Sequence, residues 1–550
     1  ILRRAWPGIL ADEGAIDPAE RRNQLLDLQA RIWTAAPPKT PIIAAGSTGS
    51  IPAAADLMAV VARLPAGTIY LPGLDRAPSD ADWTAIEADP THPQHGLALL
   101  LQRLELKRDD VPDISTDIAA DQKARARIVS AALLPAERSD RWNDLADGMD
   151  SQDVASAMRA VRRIDCQTEQ EEALTIAIAL RGFLAEQPDG TAALATPDRR
   201  LARRVAAQLR RWRIEIDDSA GQELSQTAPG SFLLLLAEAA ASDWAPVPLL
   251  GLLKHPLAAA GQPLGQLRRF ARHLDHDLLR GPRPAPGWDG LAQAIELRQA
   301  RKELRAAAAR ILTAGLPDLR FATASLAKWD GKLPPVARLH ALIVAGEALA
   351  ATDTESGRER LWRGEAGEAL ADFTHDALAS FAGIGPVAAV DFSALLMELL
   401  SGVAVRPRFG KHPRLYIWGP LEARLQQPDL LILGGMNEGT WPAESAIDPW
   451  LNRPMRKGFG LPLPERKIGL AAHDFQQAMG AKRVLLTRAA RAEGAPTVPS
   501  RWLLRLDAFL KCCGDEMALK TPPHERNWAR QLDLPVGPAT PCARPAPRPG

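Results

Sequence analysis

The sequence predicts an α/β chain with two parallel-sheet layers, the second of them split by a large all-helical insertion. Three observations predict it. "TPIIAAGSTGSIPAAADLM" followed by "GTIYLPGLD" reads as strand, Gly-rich turn, helix and strand, a βαβ unit whose strands run parallel. "GTAALATPDRRLARRVAAQLRRWRIEIDDSAG" at 190–221 repeats strand, loop, helix and strand. Apolar strand-like runs then return only at "RLYIW" (414–418), "DLLILGGMNEGTWP" (429–442) and "KRVLLTRAA" (482–490), after a long series of amphipathic helix patterns.

Bulk properties bound the answer. A chain of 550 residues carries a prior of three to four domains. At 46% hydrophobic and 24% charged residues it has the composition of an ordinary globular protein. No apolar run approaches the ~18 residues of a membrane span. The four cysteines, Cys166, Cys512, Cys513 and Cys542, are too few for a disulfide framework and lack metal-ligand spacing, so a reducing cytoplasm is expected. Net charge is +1, so a nucleic-acid partner would have to be met by local basic patches. The chain opens at Ile1 inside a helical pattern and closes on the Pro-rich "TPCARPAPRPG", which reads as a fragment ending in a linker.

Taken in order, residues 1–35 are mostly helical, with Leu25, Leu28 and Ile32 on one face. The βαβ unit follows, and residues 92–165 are helix-rich and charged. The helix within 190–221 aligns Leu201, Val205, Leu209 and Trp212 on one stripe. Its arginines 199, 200, 203, 204, 210, 211 and 213 lie mostly off that stripe. From about 232 to 400 helix follows helix, broken by "GPRPAPGW" and "GKLPP", with "LRQARKELRAAAARILTA" the clearest single helix.

Four stretches carry candidate chemistry. In "AAGSTGSIPAA", Gly46 and Gly49 stand too close for a GxxxxGK[ST] loop and no Lys follows, so the residues predict a tight strand-to-helix turn rather than a nucleotide site. The Arg-rich helix presents Arg199, Arg203, Arg204 and Arg210 either to phosphates, for which guanidinium groups are suited, or simply to water. "VRPRFGKHPRLYIWGPLEARL" places Arg406, Arg408, Lys411, His412 and Arg414 before a strand and Glu422 and Arg424 after it, either to meet a polyanion or to balance charge at a sheet edge. "DLLILGGMNEGTWP" runs an apolar strand into Gly434-Gly435, then Asn437, Glu438, Gly439 and Trp441; the indole either stacks a base or packs as a hinge. No catalytic constellation is visible: the carboxylates are scattered, the ten His form no HExxH pair, and no GxSxG elbow occurs.

These stretches resemble the AddB subunit of the bacterial AddAB helicase–nuclease, in its alphaproteobacterial form. The resemblance is carried by "AAGSTGSIPA", "LPGLD", "THPQHGL", "TPDRRLARRVAAQLRRWRIEIDDSAG" and "LLKHPLA". It continues through "HPRLYIWGPLEARLQQPDLLILGGMNEGTWP", "DPWLNRPMRKGFGLPLPERKIGLAAHDF" and "VLLTRAARAEGAPTVPSRWLLRL", and is most specific over 405–506. It implies two RecA-like, superfamily-one helicase-like domains. Residues 1–165 would be the remainder of the first domain with a helical extension, and 166–235 the first part of the second. Residues 236–404 would be a helical insertion, 405–515 the rest of the second domain, and 516–550 a linker toward a C-terminal nuclease domain. The fifth helicase motif then falls on Glu422, Arg424, Gly435, Asn437 and Glu438, and the sixth on "VLLTRAAR", with Arg488 in the place of an arginine that touches the γ-phosphate in active motors.

The implied role is processing of double-strand DNA ends for homologous recombination, as a heterodimer with an AddA-type motor subunit and in contact with single- and double-stranded DNA. ATP and Mg²⁺ belong to the full-length family complex; this segment lacks the Walker A loop and the acidic Mg²⁺ motif. Some members of the family hold an iron–sulfur cluster, but Cys512, Cys513 and Cys542 do not match its pattern. The expected task is to guide a single strand as a non-motor scaffold. The alternatives are an active motor whose Walker A loop lies upstream of Ile1, and a protein-interaction platform without DNA contact.

Overall fold

The computed structural model describes residues 2–114, 118–219, 221–329, 331–406, 412–444, 448–519 and 524–532. Arg408, Lys411 and Cys542 of the sequence reading lie outside the described residues. The chain divides into two compact units, 1–219 with 411–550 and 220–410.

The first unit begins with α1 (Leu2–Asp12) and α2 (Pro18–Ala35), followed by β1 (Ile42–Ala45), α3 (Pro52–Arg63) and β2 (Gly67–Tyr70). β1 and β2 pair in parallel, Ile42 opposite Gly67, so the expected βαβ unit is present as a two-stranded sheet. The apolar face expected on α2 exists but stays half exposed, with Leu25 at 53% and Ile32 at 49%. Next come α4 (Asp80–Ala88), α5 (His95–Leu104), α6 (Ala120–Ala132), α7 (Trp142–Asp147) and α8 (Ser151–Met158). Then β3 (Val161–Cys166), α9 (Glu169–Glu186), β4 (Ala192–Ala195), α10 (Arg199–Leu209) and β5 (Asp217–Asp218) lay down half of the main sheet. The boundary drawn at 165/166 from the sequence falls inside β3.

The second unit is helical apart from a short antiparallel pair, β6 (Gln222–Glu223) with β7 (Ala404–Val405). Between them run α11 (Ala228–Ala241), α12 (Pro246–Leu253), α13 (Leu264–His273), α14 (Gly287–Ala300) and α15 (Ala306–Ala322). They are followed by α16 (Pro335–Ala350), α17 (Gly357–Leu361), α18 (Gly364–Ser380) and α19 (Ala389–Ser401). Phe232, Leu236, Leu339, Leu342, Phe392 and Leu400 form its centre. The single helix expected over 297–314 is two: Lys302 takes a left-handed φ of 58°, which ends α14 and lets α15 fold back against it. Helix propensity over that run is high, but packing two apolar faces decides the outcome.

The chain then returns to the first unit with β8 (Leu415–Trp418), β9 (Leu430–Leu433), α20 (Arg453–Gly458), α21 (Glu465–Ala478) and β10 (Arg483–Ala489). A short hairpin of β11 (Arg491–Ala492) and β12 (Ala495–Pro496), α22 (Arg501–Cys512) and α23 (His524–Leu532) complete it. The main sheet has the order β3-β10-β9-β4-β8-β5, all parallel. Its inner strands read as unbroken apolar runs, "AALA" and "LLIL", because both faces are covered. Period two sorts their side chains. Leu194, Ile417, Ile432 and Leu485 pack with α9 and α10, whereas Ala193, Leu433, Val484 and Leu486 pack with α6, α8, α21 and α22. α9 and α10 carry the chain one way along the sheet and α21 carries it back, so right-handed crossovers put them on opposite faces. Among the described residues no helix is long and apolar enough to cross a membrane.

Candidate nucleic-acid interface

In an open parallel sheet the ligand crevice lies beyond the carboxyl ends of the strands, where the winding direction reverses. Here that point is between β4 and β9. The loop after β9 opens with Gly434 and Gly435. A Cβ on Gly434 would stand 2.8 Å from Leu194 Cδ1, and Gly435 has a φ of 75° that other residues rarely adopt. Thr196 of the β4 loop donates to the Gly434 carbonyl at 2.9 Å, tying the two loops together.

The crevice is filled by the protein's own groups. Glu172, in the first turn of α9, is buried, and its Oε1 accepts from the Gly435 amide at 2.8 Å and from the Thr487 hydroxyl at 2.8 Å. Burial pushes its carboxyl up to about 7, outweighing the two hydrogen bonds that favour the charged form. Asn437 donates to the Ala489 carbonyl at 3.0 Å and accepts from Arg488 Nε at 3.0 Å. Arg488 also reaches Asp165 at 3.2 Å, the Thr497 carbonyl at 3.2 Å and the Thr497 hydroxyl at 3.0 Å. Glu438 pairs with Arg501. Trp441 is 1% exposed, donates to the Gly434 carbonyl at 3.1 Å and meets Trp502 edge-on at 6.2 Å.

Burial narrows two of the sequence readings, and for Trp441 the packed alternative fits. Trp441 has no ring face open to a base; it is a core side chain under the loop. Arg488 is 6% exposed with each of its nitrogens engaged, which makes it a clamp between β10, the Asn437 loop and β3 rather than a phosphate contact.

The basic residues separate. On α10, capped by Asp198, Arg199 pairs with Asp218, Arg200 with Glu493, and Arg204 with Glu169 at 2.9 Å. Arg203 and Arg210 stand exposed and have no ion-pair partner among the described residues. Arg414 and His412 lie at the amino end of β8, the opposite edge of the sheet from Glu422, Arg424 and the Asn437 loop, so the strand keeps apart what the sequence reading had grouped as one surface. Arg414 donates to the Gln187 carbonyl at 2.9 Å, and His412 Nδ1 accepts from the amides of Arg414 and Leu415 at 3.1 Å, which makes both of them loop anchors. Arg424 is held at 2.6 Å by Asp474 in a pair that is largely buried. Arg406 is exposed and belongs to the helical unit; Glu422 is exposed beside Gly419.

A cavity of about 390 Å³ opens near the carboxyl edge between Thr168, Glu169, Arg204, Arg491 and Glu493. Its walls carry both signs of charge, so it holds no net field for an anion. Among the described residues no group of three or more His, Cys, Asp or Glu converges as a metal site requires.

Sequence reading missed the role of "THPQHGL". Gln94 is fully buried and donates to Gln476 of α21 at 2.7 Å, and Gln476 donates to Asp75 at 3.0 Å. Gly469 of α21 lies against the Pro90 carbonyl, where a Cβ would come within 2.4 Å. The motif docks the βαβ portion onto the main sheet's helix layer. A histidine-flanked Pro-Gln between two helical runs was the available signal.

Glu172→Gln tests the crevice. A carboxyl raised from 4.5 to about 7 contributes stability that is present below pH 4.5 and lost as pH rises through 7. The amide keeps an oxygen for both donors and cannot ionise. The variant is therefore expected to match wild type at pH 4.5 and to exceed it by roughly 3 kcal/mol at pH 8 in urea unfolding, at ~1.36 kcal/mol per pKa unit. Parallel curves at both pH values would show that Glu172 does not titrate.

No protein-family model matches this chain, and no curated protein matches it.

Proposed function

We propose that the chain is the helicase-like, DNA-guiding part of an AddB-type subunit, built on two RecA-like domains and acting as a non-motor scaffold beside an AddA-type motor in double-strand-end processing in the cytoplasm. The observation that carries the reading is the relation between its two most specific segments. "LLILGGMNEGTWP" and "VLLTRAAR" form adjacent parallel strands, β9 and β10, and lock together through Asn437 and Arg488 at the sheet's carboxyl edge. A non-motor role is favoured over a motor because Arg488 is spent on internal partners and the turn at 46–50 has no lysine.

The DNA contact is assigned to the outward face of α10. Arg203, and Arg210 just past the helix end, are exposed and have no ion-pair partner among the described residues, whereas Arg199 and Arg204 are held by carboxylates. The double variant Arg203→Ala/Arg210→Ala is expected to weaken binding of a fluorescent dT20 oligonucleotide roughly 10- to 30-fold at 0.1 M salt. It is also expected to lower the salt slope by about 1.4, since each lost phosphate contact removes ~0.7 from a single-strand slope. Anisotropy titrations at several salt concentrations measure both. An unchanged slope would take α10 off the strand's path and favour the protein-interaction reading.

A further inference from the structure

A second cavity, of about 290 Å³, lies where the Gly-rich turn meets the segment that joins α20 to α21. Ser50, Arg456, Pro462, Arg466, Lys467 and Leu470 line it, and no carboxylate does. We propose that this cavity is a phosphate-binding site.

The charge balance carries the proposal. Arg456 is already neutralised by Asp448 at 2.8 Å and also donates to the Pro462 carbonyl at 3.1 Å, which fixes the wall. Arg466 and Lys467 have no ion-pair partner among the described residues. Arg466 Nε is buried and has no hydrogen-bond acceptor. The lining therefore offers the cavity two cations, Arg466 and Lys467, that no carboxylate among its residues neutralises. The cavity at Arg204 and Arg491 makes the contrast: there Glu169 and Glu493 supply the counter-charges from within the wall.

Three further features favour phosphate over other anions. An arginine fork and a lysine together meet a tetrahedral oxyanion with several directed donors. Ser50 adds a hydroxyl next to the start of α3, a helix with no side-chain cap, whose amino end lends partial positive charge. The volume sits just below the ~300–1,000 Å³ of small-molecule sites, enough for a phosphate and its ester carbon rather than a whole nucleoside triphosphate. The turn that lacks its own lysine is thus given cations from more than 400 residues further along the chain.

The phosphate has two possible sources, a nucleic-acid backbone or a free phosphate compound, and the site does not depend on the DNA-guiding reading. The test uses the whole chain, with Arg466→Gln/Lys467→Gln, the surface variant Lys467→Gln alone, and Lys511→Gln as a control. Inorganic phosphate is titrated calorimetrically and dT20 by anisotropy. Wild type and Lys511→Gln are expected to bind phosphate, the double variant at least tenfold more weakly, and Lys467→Gln in between. If dT20 affinity falls tenfold in parallel, the source is a strand. If it is unchanged while phosphate binding is lost, the site takes a free phosphate compound and lies off the DNA path. Absence of phosphate binding by wild type, or equal binding by the double variant and wild type, would overturn the proposal. Lys467→Gln, a change at an exposed side chain, covers the case in which Arg466→Gln disturbs folding.

Discussion

Trp441→Ala is expected to destabilise the first unit by about 3–5 kcal/mol, the range for truncating a large buried aromatic. The ring is 1% exposed, sits between Trp502 and the Gly434 carbonyl, and belongs to the same core cluster as Phe475, Leu433 and Leu503. Truncation leaves a cavity and takes one of the two hydrogen bonds from the Gly434 carbonyl, at the base of the loop that Glu172 and Arg488 hold from above. Two compact units need not unfold together, so a single midpoint would mix them. Hydrogen exchange resolves the difference: amides of β9, β10 and α22 are expected to lose protection, while those of α11 and α16 keep theirs. Single-strand affinity of the folded protein should hardly move. A variant of wild-type stability that loses the ~1–3 kcal/mol of a stacked base would restore Trp441 to the DNA surface.

The second large effect is acid sensitivity. His92 and His473 are both buried where α21 meets the 90–95 loop. Burial pushes His92 down to about 3, Arg505 and His95 adding to the effect and Asp89 opposing it. Burial, with Arg424, pushes His473 down to about 4, against a hydrogen bond with the Pro93 backbone that favours the charged form. A histidine whose folded pKa is depressed gives up stability as pH falls from 6.5 toward that folded value. Between pH 6.5 and 5 each histidine costs about 2 kcal/mol at ~1.36 kcal/mol per pKa unit, and Glu172 returns about 2 kcal/mol over the same interval. Wild type is therefore expected to lose about 2 kcal/mol by pH 5 and to fall steeply below pH 4.5, where Glu172 no longer compensates. Glu172→Gln should expose the full loss of about 4 kcal/mol by pH 5, whereas His473→Leu, which leaves His92 alone against Glu172, should remove nearly all of the net loss seen in wild type. Urea midpoints from pH 4 to 8 measure all three proteins. Superimposable pH profiles for wild type and His473→Leu would mean that His473 takes up its proton as readily in the folded chain as in the unfolded one.

Much of the main sheet was legible because a parallel strand covered on both faces must be apolar throughout. "AALA", "LLIL" and "RVLLT" leave little choice. β3 was not legible for the same reason in reverse. It is an edge strand, and Val161, Ile164 and Cys166 are separated by Arg162, Arg163 and Asp165, which face the partly exposed side. The break at Lys302 left no mark in composition, because only the meeting of α14 with α15 requires it. At the candidate site, Gly434-Gly435 announced a tight turn, but nothing local announced its partner. Glu172 lies 263 residues earlier, and its helix reads as an ordinary amphipathic one. Arg424 and Arg488 look in sequence like cations free for a ligand. Only the fold brings Asp474 and Asp165 to them. Charge in a sequence shows what could be offered to a partner; pairing in the structure decides what is left to offer.

The strand order β3-β10-β9-β4-β8-β5 has a consequence for synthesis. β3, β4 and β5 are made first, yet no two of them are neighbours, and every partner they have is β8, β9 or β10. At ~5–20 residues per second, the roughly 200 residues between β5 and β8 keep those three ribbons waiting about 10–40 s on the ribosome. Through that interval the nascent chain carries strands with nothing to pair and the sticky undersides of α9 and α10, while the helical unit is free to close by itself. In the cell, survival of this protein rests on whatever shelters residues 161–218 until the last third of the chain emerges.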